Sequence, residues 1–270
     1  MKTLKRIAAG ILSTALLLGM TSCGAAKQTE TSADANVDTA AAFTTVESGK
    51  LIMATNAFFP PYEYYEGDKI VGIDVEIATA VADKLGLELV IEDVEFDSII
   101  AGVQSGKYDI GCAGMTVTED RLKSVNFSTP YATGIQSIIV AADSEITDID
   151  TLVSGDYKVG VQSGTTGDIY MTDEVGEERI ERFAKGNDAI IALTSGKISA
   201  VVIDNEPAKA FVAANDGLKI LETPYTVEDY AMAINKDNEA LKDAINQALK
   251  ELTDDGTIAA IINKYIPAEG

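Results

Sequence analysis

The sequence predicts an α/β protein of two lobes, each a mostly parallel sheet with helices on its faces. Three observations carry this. The chain has 270 residues, more than one minimal domain needs, and 46% of them are apolar, enough for two buried cores. From residue 51 onward, short apolar runs alternate with amphipathic segments in a β-α-β-α-β order. That order begins again near residue 157, and one segment recurs in it: Asp97-Ser-Ile-Ile-Ala-Gly-Val-Gln-Ser-Gly-Lys107 is echoed by Asp188-Ala-Ile-Ile-Ala-Leu-Thr-Ser-Gly-Lys197.

Element by element, Leu51 to Thr55 reads as a strand. Asp74 is placed to cap a helix whose apolar residues Ile77, Ala78, Val81, Ala82 and Leu85 keep a 3.6-residue spacing up to Gly86. Leu87 to Ile91 is the next strand. Asp97 is expected to cap a helix through Ile99, Ile100 and Val103, stopped by Gly106, and Ile110 to Cys112 is a buried strand. The second round runs from Tyr157 to Val161, through a helix opening at Gly164, to Ile180–Phe183, a helix capped by Asp188, and the apolar strand Ala200 to Ile203. Two amphipathic helices between Asn238 and Ile266 are expected to pack back on the first lobe. The chain would then cross between lobes twice, near Tyr131 to Ile135 and near Thr226 to Tyr230. The expected boundaries are 50–132 plus 229–270 for lobe 1 and 133–228 for lobe 2.

The N-terminus reads as an address. Lys2, Lys5 and Arg6 precede a 14-residue uncharged stretch, Ile7 to Met20, which is short for a membrane span and right for a signal-peptide core. Leu18-Gly-Met-Thr-Ser-Cys23 follows, and small residues before a cysteine resemble the lipobox of bacterial lipoproteins. The resemblance implies removal of residues 1–22 and lipid on Cys23. Gly24 to Ala42, rich in Ala, Thr, Ser and Asp with no aromatic residue, cannot bury enough surface to fold. Residues 23–49 are therefore expected to be a lipidated end and a flexible tether, holding the body at the outer face of the cell membrane.

Charge and composition exclude several functions. There are 21 basic and 43 acidic residues, a net of −22. Loss of residues 1–22 removes three positive charges and moves the net from −22 to −25. Such a surface repels nucleic acid and anionic headgroups. With no histidine, a zinc site or proton relay loses its usual side chain, so no metal and no cofactor is expected. The two cysteines, Cys23 and Cys112, do not make a disulfide framework, and Cys112, inside an apolar run, is expected to be a small buried hydrophobe.

Four motifs follow one another: Ala54-Thr-Asn-Ala-Phe-Phe-Pro-Pro-Tyr-Glu63, Gly72-Ile-Asp-Val-Glu76, Ala113-Gly-Met-Thr-Val-Thr-Glu-Asp-Arg121 and Phe127-Ser-Thr-Pro-Tyr131. In this order and spacing, over roughly residues 50 to 267, the chain resembles the polar amino-acid-binding family of ABC-transporter solute-binding proteins, family 3. The resemblance implies the type II periplasmic-binding-protein fold with a two-strand hinge. It also implies a free amino acid as ligand, with an ABC permease and its ATPase subunit as partners.

An amino-acid zwitterion needs a cation for its carboxylate and an anion for its ammonium, both partly removed from water. Arg121 suits the first task, since its planar fork can hold a carboxylate with two parallel bonds. Thr118 is expected to cap the helix that carries it. The family's matching positions imply that Ala113, Gly114 and Thr116 bind the same carboxylate. Asp204, at the C-terminal end of an apolar strand, suits the ammonium, and an N-cap role is open to it too. Gln162-Ser-Gly-Thr-Thr-Gly-Asp168 lies between a strand and a helix start, where free N–H groups favour an anion, so Thr165 and Thr166 are expected to close on the carboxylate from lobe 2. It lacks the Gly-Lys-Ser/Thr ending of a nucleotide-binding loop.

The resemblance implies that Phe59 and Phe96 sandwich the ligand side chain. Asn56 stands where relatives that bind basic side chains often carry Asp, which points to a neutral or polar side chain over a strongly basic one. Phe58 and Gln162 also depart from the family pattern, and both bear on selectivity. No spare acid or base is aimed at a reacting carbon, so binding is expected and enzymatic turnover is not. The protein is expected to work as a monomer.

Overall fold

The computed structural model describes residues 43–221 and 227–267. The expected leader, Cys23 and the tether as far as Ala42 lie outside the described residues. The folded body opens with β1 (Lys50–Thr55), whose last five residues are buried, and a small antiparallel flap of β2 (Phe58–Phe59), β3 (Glu63–Glu66) and β4 (Lys69–Val71). Then come α1 (Ile73–Leu85), β5 (Glu88–Asp93), α2 (Phe96–Gln104), β6 (Ile110–Gly111), α3 (Glu119–Ser124) and β7 (Val125–Phe127). The long strand β8 (Ala132–Ala141) leads to the second lobe of α4 (Ile149–Ser154), β9 (Val159–Gln162), α5 (Thr166–Val175), β10 (Ile180–Phe183), α6 (Gly186–Thr194), β11 (Ala200–Asp204), α7 (Asn205–Ala214) and β12 (Leu218–Ile220). β13 (Val227–Tyr230) brings the chain back to β14 (Ala233–Asn235), α8 (Glu239–Asp254) and α9 (Thr257–Tyr265).

Each lobe has one mixed sheet, ordered β5-β1-β6-β14-β7 in the first and β10-β9-β11-β8-β12 in the second. The predicted β-α-β-α-β rounds form the parallel half of each sheet, β5-β1-β6 and β10-β9-β11. The remaining strands join antiparallel. The sequence reading foresaw only the start of β8, as a hinge crossing near Tyr131 to Ile135, and had no place for β7, β12 and β14, because those strands pair with partners distant along the chain. The hinge is the antiparallel pair β8–β13, from Val227 opposite Ile135 to Tyr230 opposite Ala132. In the tail, Leu241, Ile245, Ala248 and Leu249 of α8 are buried in the core shared with α1, while Lys264 and Tyr265 of α9 both bond Glu76 of α1.

Three expected caps are not caps. α1 begins after Gly72, which leaves Asp74 inside the first turn and fully buried; its carboxylate accepts from Gly114 N (2.7 Å) and Tyr131 Oη (2.7 Å). α2 begins one residue before Asp97, with Glu95 in the capping position, and Asp97 accepts from Ser163 Oγ across the cleft. α6 begins at Gly186 after Lys185, so Asp188 stands in its first turn. The recurrence holds at the other end of the two helices. Ser105 and Ser195 are both C-caps, followed by Gly106 at φ +74 and Gly196 at φ +73, which turn the chain into β6 and toward β11. Cys112 is fully buried, as expected of a small hydrophobe. Among the described residues no helix is long and apolar enough to cross a membrane, and no cluster of His, Cys, Asp or Glu could hold a metal ion.

Candidate functional site

All the residues proposed from the sequence for the folded site line one nearly closed cavity between the lobes, with about 10 Å³ of room, and Glu63 lines it with them. An open groove with about 510 Å³ of room runs along the hinge and shares Asp204, but Arg121 is not in its wall.

Arg121 sits on α3, whose N-cap Thr118 accepts from Arg121 N (3.2 Å), as the sequence predicted. The side chain is 8% exposed. Its guanidinium donates to Thr116 O (2.7 Å) in its own lobe and to Gly164 O (3.0 Å) in the other, and stands 5.4 Å from the Phe96 ring centroid. Burial pushes its pKa down, and the fields of Glu228, Tyr170 and Asp204 oppose that. Gly114 holds the left-handed conformation, φ +52, and a Cβ there would lie 2.8 Å from Phe59 Cε1. Only glycine lets the backbone pass so close to that ring. Gly114→Ala is therefore expected to cost about 1–3 kcal/mol of stability and to displace Phe59, read by urea unfolding.

On the second lobe, Thr165 caps α5, accepting from Asp168 N (3.3 Å) and donating to Gln162 O (2.9 Å). Thr166 donates its hydroxyl to Glu228 Oε2 (2.8 Å). Both hydroxyl protons are thus committed within the protein. What the segment offers an anion is the first turn of α5, where backbone N–H groups lack helical partners and the dipole is positive. Asp168, which the sequence reading treated only as the end of a motif, fixes this loop. It accepts from Gly164 N (3.0 Å) and pairs with Arg182 Nε (2.8 Å).

Asp204 ends β11, in the N-cap position of α7, but makes no capping bond. Its carboxylate accepts from Tyr230 Oη and from Gln136 Nε2 (2.9 Å). Burial, with the nearby charge of Glu228, pushes its pKa up to about 7 against those two donors. Asn56 donates to Val94 O (2.7 Å) and accepts from Gln162 Nε2 (2.9 Å), an amide pair that joins the lobes. Phe59, on β2, and Phe96, the first residue of α2, are both buried in the wall, and Ala113 and Thr116 complete it beside Gly114. Phe58 is drawn into the closure too, with Lys185 Nζ 3.6 Å from its ring centroid.

Glu63 was not among the residues proposed from the sequence. It is 1% exposed, and its Oε2 and Asp74 Oδ1 are both buried without a conventional donor. Burial, then the charge of Asp74, pushes Glu63 well up; burial pushes Asp74 up too, against the Gly114 and Tyr131 donors that stabilise its charge, and Glu63, with no such donors, is the neutral member of the pair. The sequence signal was an acid inside the aromatic run Phe58 to Tyr65.

Known proteins resemble the whole folded body. The family model for bacterial extracellular solute-binding proteins, family 3, matches residues 51–268. The arginine-binding extracellular protein of Bacillus subtilis is 35% identical over 235 residues, covering 83% of this chain and 89% of that one. An ancestral arginine-binding protein solved bound to glutamine is 38% identical, with a TM-score of 0.77 over 81% of this chain and 98% of that one. The substrate-binding protein of an amino acid ABC transporter is 35% identical, with a TM-score of 0.75 over 80% and 99%.

Proposed function

The chain belongs to the bacterial extracellular solute-binding proteins of family 3, and on that premise we propose how it holds and selects its ligand. It is the extracytoplasmic substrate-binding component of an amino-acid ABC importer. One observation carries the proposed mode of binding: a buried guanidinium, Arg121, and a buried carboxylate, Asp204, line the same interlobe cavity. In this reading the ligand carboxylate lies between Arg121 and the first turn of α5, and the ammonium on Asp204. The side chain lies between Phe59 and Phe96. Contacts from both lobes exist only when the cleft is shut, so the ligand stabilises closure by that difference. The moving bodies are residues 50–132 with 229–270, and residues 133–228. A micromolar complex needs about −8 kcal/mol, within reach of a buried bidentate ion pair, an ammonium–carboxylate pair and an aromatic sandwich. The closed form docks on the permease and its ATPase partner. Lipid on Cys23, behind a leader of residues 1–22, holds the monomeric protein to the membrane.

For the side chain, we favour a basic amino acid of arginine type. Asn56 argued for a neutral or polar group, but it is not the whole wall. Glu63 in the wall is the neutral member of the pair and the negative charge sits on Asp74 behind it; at that short range the charge favours a side chain that brings positive charge. The Asn56–Gln162 amide pair supports a second reading, an amide side chain such as glutamine. Thermal-shift titration of the mature body against L-arginine, L-lysine, L-histidine and L-glutamine separates them. The largest stabilisation is expected from arginine. Asp74→Asn, which removes the charge of the pair while Glu63 stays neutral, is expected to weaken arginine by about tenfold while leaving glutamine within about threefold. Equal losses for both ligands would remove the Glu63–Asp74 pair from selectivity.

A further inference from the structure

Behind the cavity the hinge carries a buried polar cluster that the contacts to a zwitterion do not account for. β8 pairs with β13 as far as Ile135 opposite Val227, then changes partner and pairs with β11 from Gln136 opposite Asp204. Gln136 is the first residue after that change and is 1% exposed. Its Nε2 lies 2.9 Å from Asp204 Oδ2, 2.9 Å from Glu228 Oε2 and 3.3 Å from Thr166 Oγ1. An amide nitrogen has two hydrogens, and the two carboxylates, nearer and charged, take them. Glu228, on β13, is itself buried and accepts from Thr166 Oγ1 (2.8 Å) and Tyr170 Oη (2.9 Å).

The orientation of that amide is forced. Gln136 Oε1 is buried with no partner, a loss that reversing the group would not repair, because the oxygen would then face three acceptors. We propose that Gln136 is a positioning residue of the binding site: by donating from one amide to both Asp204 and Glu228, it separates two buried carboxylates at the hinge and keeps Asp204 ionised for the ligand's ammonium. The proposal rests on the reading of Asp204 given above. Without the amide, two like charges would share a buried space with no donor between them, and Asp204 would hold its proton to higher pH.

Other groups face Asp204 as well. Tyr230 on β13 donates to it, and the fields of Arg121 on α3, Tyr170 on α5, Tyr62 after β2 and Glu63 on β3 reach it. Glu206 on α7 lines the hinge groove beside it. Of these, only Tyr230 bonds Asp204, and only Gln136 joins it to Glu228.

The test is calorimetric titration with L-arginine and with L-glutamine from pH 5 to 9, on wild type, Gln136→Met, Glu228→Gln, the double variant and Asp204→Asn, with thermal unfolding as the check of folding. For Gln136→Met, affinity at pH 7 is expected to fall about fivefold and the pH midpoint of binding to rise by about one pH unit. Glu228→Gln keeps the shape and removes the second charge, so the midpoint should fall; the double variant should return toward wild type. A Gln136→Met protein with the wild-type midpoint, or the two single variants moving it in the same direction, overturns the proposal. Glu228→Gln stands as the test if Gln136→Met does not fold. Full affinity in Asp204→Asn would instead remove the reading of Asp204, whereas a weak Asp204→Asn beside an unshifted Gln136→Met sinks the role of Gln136 alone.

Discussion

Arg121→Ala is expected to reduce amino-acid binding by at least about thirtyfold, because removing one partner of a buried, hydrogen-bonded charge pair costs ~2–5 kcal/mol. Among the described residues Arg121 donates only to two carbonyl oxygens and is in no ion pair, so no protein acid described there already neutralises its fork. The same side chain bridges the lobes through Gly164, so the variant should also close less readily. Arg121→Lys keeps the charge but loses the planar fork, and is expected to recover only part of the affinity. Calorimetry at constant pH reads both variants, with circular dichroism to show that the fold is kept. Full affinity in Arg121→Ala would assign the ligand carboxylate to another group, and the first turn of α5 would be the place to look.

Affinity is expected to fall as the medium is acidified through pH 7. The sign follows from Asp204. Before ligand binds, its pKa stands at about 7, raised first by burial; an ammonium alongside lowers it, so the ligand binds the ionised form. Binding is then at its plateau above pH 8 or so and weakens below the midpoint, by at most about tenfold per pH unit. Asp204→Asn should give weak binding with a much flatter pH profile. Its effect on stability runs the other way. A carboxyl whose folded pKa exceeds its unfolded one contributes stability that is present at low pH and lost as pH rises through 7. Above that pH, the Asp204→Asn protein without ligand is expected to melt at a higher temperature than wild type. That outcome would show the buried carboxylate being kept for binding at a cost to the fold.

The amide pair and the aromatic contacts across the cleft are a separate matter from the charges. Asn56–Gln162, Asp97–Ser163 and Lys185–Phe58 join the lobes without touching the Arg121 and Asp204 side chains. They set how closely the walls approach, and with it the room left for a side chain. Phe58 and Gln162, two positions where the sequence departs from its relatives' pattern, both lie in these contacts.

The sequence by itself determined the two-lobed α/β plan and most of the cavity wall. Both are written locally. Apolar runs of strand length, helices ended by Ser-Gly and motifs a few residues long each act on their own neighbourhood, so Arg121 could be placed on a Thr118-capped helix and Asp204 at a strand end without coordinates. Only the tertiary structure decided what depends on partners far apart in the chain. The antiparallel halves of both sheets, the burial of Glu63 beside Asp74, and the Gln136 amide between Asp204 and Glu228 all join residues that no local pattern pairs. The failed caps have the same cause. Asp74 and Asp97 each look like a helix start, but a stronger or more distant donor claims the carboxylate: Gly114 and Tyr131 for the first, Ser163 of the other lobe for the second. A buried charge goes to whichever donors the fold brings to it, and the fold brings them from far along the chain.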